Sequence, residues 1–238
     1  MAIEPRTDHV TTADGTMDLY VWVPEAGHGP GILLLQEIFG VGSYLRAVAE
    51  RLVAHGYVVA APDVFWRIQP HWEADHSEQG LNESMAIAGQ FFPQLPTGIA
   101  DCVAALHRLE ELPEVRGGAG VMGFCLGGLL AYHVAALAHP AAAVSYYGSG
   151  IAGGLDQLPQ ITCPLLFHFG GDDPYIPADQ VAAIASAVEP LEHVELHVQH
   201  AAGHAFDNHD APMFHHPEAA AAAWAITTGF LAKHLPVG

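Results

Sequence analysis

Between positions 120 and 132 the chain reads Gly-Val-Met-Gly-Phe-Cys-Leu-Gly-Gly-Leu-Leu-Ala-Tyr. Gly123 and Gly127 flank Cys125 in the spacing Gly-x-Cys-x-Gly, a nucleophile-elbow pattern with cysteine in place of serine. The spacing has a steric cause. A strand that turns directly into a helix brings two backbones close, and a side chain at 123 or 127 would collide across the turn. The tip residue is then forced outward at a helix N-terminus, where the dipole and unpaired N–H groups favour a thiolate. Most free cysteines are small buried hydrophobes, so this pattern gains meaning only with an acid and a histidine further along.

Both follow. Asp172 and Asp173 stand in Gly-Gly-Asp-Asp-Pro, and His204 stands in Ala-Gly-His-Ala-Phe. The order nucleophile, acid, histidine is that of α/β-hydrolases. His204 can take the proton of Cys125 and hand it to a leaving oxygen, while an aspartate fixes its tautomer. Free thiols and imidazoles both titrate near neutrality, so a thiolate–imidazolium pair is accessible. Each residue alone has an ordinary explanation. The aspartates are turn formers, and His204 is one of 17 histidines. Their joint order at the ends of predicted strands is what points to catalysis. Leu126, directly after the nucleophile, is expected to offer its backbone N–H to an oxyanion.

The elements that must position these residues follow from periodicity. Residues 10–23 form two extended runs around Asp14-Gly15, which predicts an antiparallel hairpin. The continuous apolar runs at 31–36 and 57–61 predict strands buried on both faces, and further strands are predicted at 115–122, 142–147, 164–169 and 194–198. Helices are predicted over 43–55 with Ser43 as cap, 82–92, 97–111, 126–138, 177–188 and 218–234. The alternation predicts an α/β fold: a mostly parallel, doubly wound sheet in one domain spanning residues 1–238. In such a sheet function gathers at the carboxyl ends of the strands. Glu37, Cys125, the Asp172/Asp173 pair and His204 all fall there.

Composition narrows the function. The 238 residues carry 7 Lys and Arg against 26 Asp and Glu, a net charge of −19. Nucleic acid and anionic membranes are therefore poor partners. No apolar run is long enough to span a membrane, and the start has no secretory signal pattern. The odd cysteine count, at 102, 125 and 163, fits no disulfide framework and suggests a reducing cytoplasm. Cys102 and Cys163 read as packing residues. His71, His76, His209, His215 and His216 show no metal-ligand spacing, so neither metal nor cofactor is expected.

The sequence resembles the dienelactone hydrolase family. The resemblance rests on Gln36-Glu37-Ile38-Phe39-Gly40, Gly123-Phe124-Cys125-Leu126-Gly127-Gly128, Tyr146-Tyr147-Gly148, Gly170-Gly171-Asp172-Asp173 and Ala202-Gly203-His204-Ala205-Phe206. It implies a single-domain α/β-hydrolase-like fold and a Cys125–His204–Asp173 triad. It also implies an oxyanion hole of the Ile38 and Leu126 N–H groups, and a Glu37 that contacts the resting thiol. Phe39, Trp66, Arg67, Tyr146, Phe206 and Asn208 are the expected pocket residues, with Trp72, Phe91 and Phe92 as further aromatic candidates.

The sequence departs from the family in one respect. The two arginines that bind the carboxylate of dienelactone are missing: Asn208 stands at one position, and residues 68–100 contain no Arg or Lys. The expected activity is hydrolysis of a small ester or lactone other than the carboxylate-bearing dienelactone. The same triad would support acyl transfer, and a low-pKa cysteine on this scaffold could instead serve a ligand-binding or redox-sensing protein. The oligomeric state is not encoded in any pattern found.

Overall fold

The computed structural model describes residues 4–238. Eight strands form one sheet: β1 (Arg6–Thr11), β2 (Thr16–Trp22), β3 (Gly29–Leu35), β4 (Val58–Pro62), β5 (Val115–Phe124), β6 (Ala143–Tyr146), β7 (Leu165–Gly170) and β8 (Val194–Gln199). Their order across the sheet is β1-β2-β4-β3-β5-β6-β7-β8. β1 and β2 form the antiparallel hairpin, β2 pairs antiparallel with β4, and every other pairing is parallel. Every residue of β3 and β4 is buried. A strand with helices over both faces has no polar side to show, which is why these runs carry no alternation.

Six helices pack on this sheet: α1 (Ser43–Ala54), α2 (Glu78–Phe91), α3 (Leu95–Glu110), α4 (Leu126–Ala138), α5 (Ala178–Val188) and α6 (Pro217–His234). α1 and α6 share one face, where the Arg51 guanidinium lies 3.5 Å from the Trp224 ring. α3 and α4 pack together on the other. From β3 the chain crosses to β4 on one side, whereas β5 leads to β6 on the other. The sheet therefore has a switch point between β3 and β5. Helices diverge there, and a crevice opens above the carboxyl ends of the strands.

Two local expectations need correction. Ser43 does not cap α1. Gly42 holds that position without a side-chain bond, and the Ser43 hydroxyl donates to Asp210 instead. α2 begins four residues before position 82, because Ser77 accepts from the Gly80 N–H at 3.1 Å and starts the helix there. Residues Ile151–Gln160 form consecutive 3-10 turns. Among the described residues no helix is long and apolar enough to cross a membrane.

Candidate active site

The elbow is built as its glycines require. Cys125 sits between β5 and α4 with φ +53° and ψ −114°, a conformation that costs a non-glycine residue energy and is held by its surroundings. A Cβ on Gly123 would lie 2.0 Å from the Gly127 carbonyl oxygen, and one on Gly127 would lie 2.1 Å from that of Leu35. Neither position tolerates a side chain. The Cys125 N–H donates to the Tyr146 carbonyl at 3.0 Å, which ties the elbow to the neighbouring strand.

Strand register brings the partners together. Leu35 pairs with Gly123, so Glu37 and Ile38 emerge beside Cys125 and Leu126. β7 and β8 run in register to Gly170 and Gln199, and the loops that follow carry Asp173 and His204. His204 Nε2 lies 3.1 Å from Cys125 Sγ, and its Nδ1 lies 2.7 Å from Asp173 Oδ2. The other Asp173 oxygen accepts the Tyr175 and Ile176 N–H groups at 2.8 and 3.2 Å. Asp172 is exposed and makes no such contact. Burial pushes the His204 ring toward neutrality, but the Cys125 sulfur and the Asp173 carboxylate outweigh it and hold the ring well above its usual pKa. The arrangement therefore favours imidazolium beside sulfur.

Glu37 is buried in the same place, and burial raises its carboxyl to about 7. The Asn208 amide, donating to Oε2 at 2.6 Å, and the His204 charge pull in the other direction. The same amide nitrogen lies 3.0 Å from His76 Nε2. No hydrogen bond joins Glu37 to Cys125 among the described residues. The resting contact that the family resemblance implies is replaced by Asn208 on the glutamate and His204 on the sulfur.

A cavity of about 220 Å³ opens above the sulfur. Glu37, Ile38, Phe39, Cys125, Leu126 and His204 line it, together with Leu81, Met85, Ala88, Phe92, Leu129, Ser149, Tyr175, Ala205 and Phe214. Leu126 is the first residue of α4, so its N–H has no intrahelical acceptor. No lysine or arginine reaches the cavity.

Of the expected pocket residues, Phe39 and Phe92 are in place and seven others are not. Arg67 pairs with Asp14 at 3.0 Å and with Asp101, and it stacks on Trp66, whose indole N–H also donates to Asp101. Both side chains are taken up in tying the hairpin to α3. Tyr146 lies on the α6 side of the sheet, with its hydroxyl 2.7 Å from Thr227. Phe206 is wholly buried, and Asn208 stands behind Glu37 rather than on the cavity wall. Phe91 packs edge-on against Phe65 in the core, and Trp72 donates to the Ile38 carbonyl at 3.1 Å.

Tyr147, the neighbour of Tyr146, is the residue that touches the site. Its ring lies 5.2 Å from that of His204. Tyr147 stands just past the end of β6 with φ +38°, where strand alternation no longer applies. Cys102 and Cys163 are buried, with burial raising Cys102 far up and Cys163 to about 11. His216 caps α6 by accepting the Ala219 N–H. Among the described residues no group of three or more His, Cys, Asp or Glu could hold a metal ion.

The sequence profile described as the dienelactone hydrolase family matches residues 17–235. A carboxymethylenebutenolidase of Pseudomonas sp. (strain P51) is 34% identical over 224 residues, covering 94% of this chain and 93% of that one. The dienelactone hydrolase-like promiscuous phosphotriesterase P91 from metagenomic libraries superposes with a TM-score of 0.82 at 20% identity, each chain covered in full. The dienelactone hydrolase of Anabaena variabilis gives 0.70 at 20% identity, over 98% of this chain and 99% of that one.

Proposed function

The chain belongs to the dienelactone hydrolase family and is a hydrolase of ester or lactone type; from that premise we propose a mechanism carried by Cys125, His204 and Asp173. The observation that supports it most is the single imidazole bonded to sulfur on one side and to carboxylate on the other. Cys125 Sγ attacks the carbonyl carbon and forms a C–S bond. The carbonyl electrons move to oxygen, to which the Ile38 and Leu126 N–H groups donate; such donors are worth about 10²–10³ in rate each. When the intermediate collapses, the C–O bond breaks and His204 Nε2 gives its proton to the leaving oxygen. His204 then takes a proton from water, whose oxygen attacks the thioester and releases the acid, and the sulfur returns to its resting state. Asp173 holds Nδ1–H throughout.

The substrate is not the carboxylate-bearing dienelactone. Arg67 is occupied by Asp14 and Asp101, Asn208 is engaged by Glu37, and among the described residues no lysine or arginine lines the cavity. A substrate carboxylate would lose its hydration beside buried Glu37 with no arginine to replace it. The free thiols suit a reducing compartment, and we place the protein in the cytoplasm.

The test is acyl-enzyme trapping. Mixed with a p-nitrophenyl ester, the protein is expected to gain the acyl mass on the peptide containing Cys125, and Cys125→Ala to lose both that mass and turnover. Turnover retained in Cys125→Ala overturns the mechanism.

A further inference from the structure

α2 has two apolar faces. Ile87, Ala88 and Phe91 are buried and hold the helix to the body. Leu81, Met85, Ala88 and Phe92 form a second stripe at helical spacing, and all four line the cavity that ends at Cys125 and His204. Met85 and Phe92 are 52% and 49% exposed. Elsewhere the exposed surface of α2 carries Glu78, Gln79, Asn82, Glu83 and Gln90, as a solvated helix should. Of the six large hydrophobics exposed among the described residues, Met85, Phe92 and Tyr175 line this single cavity. Such a concentration marks a place where apolar surface is covered in use. The cavity is concave, with the sulfur within it. A chain entering it reaches the reacting atom, whereas a flat partner surface would seal that atom off.

We infer that the α2 stripe is the binding wall for an uncharged hydrocarbon group of the substrate. The substrate is an ester or lactone bearing an alkyl or aryl substituent several carbons long, and Met85 and Phe92 set the length accepted. This rests on the hydrolase reading for its consequence, but the wall can be tested without turnover.

Two ketones of matched length serve as probes: hexanophenone, and 6-oxo-6-phenylhexanoate, which ends in a carboxylate. Neither has a leaving group. By titration calorimetry hexanophenone is expected to bind the wild type at least about 10-fold more tightly than the carboxylate, and Met85→Glu to remove about 10-fold or more of that affinity. Phe92→Ala provides a second variant should Met85→Glu fail to fold, and is expected to weaken hexanophenone severalfold. With p-nitrophenyl esters, kcat/KM is expected to rise about 3- to 4-fold per methylene from acetate to hexanoate, and Met85→Glu to flatten that rise.

Equal or tighter binding of the carboxylate overturns the inference. So does a Met85→Glu protein that keeps its hexanophenone affinity, or one in which the only change is loss of self-association by light scattering. Tight hexanophenone binding in a protein that turns over no ester would uphold the wall and defeat the hydrolase reading. Hydrolysis with no chain-length response would do the reverse.

Discussion

Two histidines in this molecule are buried to nearly the same degree and held in opposite states. His168, on β7, is fully buried. Its Nε2 lies 3.0 Å from the Thr227 hydroxyl, and the Tyr146 ring packs 4.6 Å away. Burial and the nearby His197 push its pKa down to about 3, so it is a neutral, polar part of the core. His204, only slightly less buried, is held high by the Cys125 sulfur and the Asp173 carboxylate. Burial alone neutralises an imidazole. Placing a sulfur at one ring nitrogen and a carboxylate at the other reverses that outcome. One sheet thus uses the same side chain as packing on its α6 face and as a proton carrier at its carboxyl edge.

The largest effect on this contrast is expected from Cys125→Ala. Ester hydrolysis should fall about 10⁴-fold or more with the thermal midpoint within a few degrees of wild type, checked by steady-state kinetics and calorimetry. Asp173→Asn comes next. It keeps the shape but removes the charge that fixes the His204 tautomer, and kcat should drop about 10³- to 10⁴-fold.

A smaller effect concerns stability. Glu37, raised to about 7 from an ordinary value of 4.5, binds its proton more tightly folded than unfolded. Its stabilising contribution is complete below about pH 4.5 and is lost as pH rises through about 7. Glu37→Gln should therefore gain on the order of 3 kcal/mol relative to wild type at pH 8, with little difference at pH 4, by denaturant titration. His168 has the opposite sign. Its lowered value means that its contribution is present above about pH 6.5 and is lost as pH falls toward about 3. The triple variant His168→Leu, Thr227→Val, Tyr146→Phe should resist acid better than wild type and keep kcat/KM within about 2-fold, since it removes all three polar partners together.

The parts of this site that could be read from sequence are those with a steric or topological cause. Gly123 and Gly127 announce the elbow because a Cβ there meets backbone at about 2 Å. The continuous apolar runs announce the sheet because buried parallel strands lack a polar face. Asp173 and His204 were reachable because the chain order places them at successive strand ends. What failed depended on which way a side chain points. Tyr146 and Tyr147 are adjacent and chemically identical, but Tyr146 ends β6 and Tyr147 follows it at φ +38°, a turn that nothing in the residue types announces. Trp66 and Arg67 look like a binding pair until Asp14 and Asp101, distant in sequence, occupy them. The α2 wall was hidden because its stripe is offset from the core-facing stripe by a single residue. Apolar periodicity in sequence does not say that a helix has two covered faces.

The central claim is that the His204 ring, set between the Cys125 sulfur and the Asp173 carboxylate, carries a proton on both nitrogens. Nitrogen-15 NMR of the imidazole ring at pH 8 tests it directly. The wild type is predicted to show both His204 nitrogens protonated, and Cys125→Ala to shift the ring toward the neutral form. A neutral His204 ring in the wild type at that pH would contradict the account.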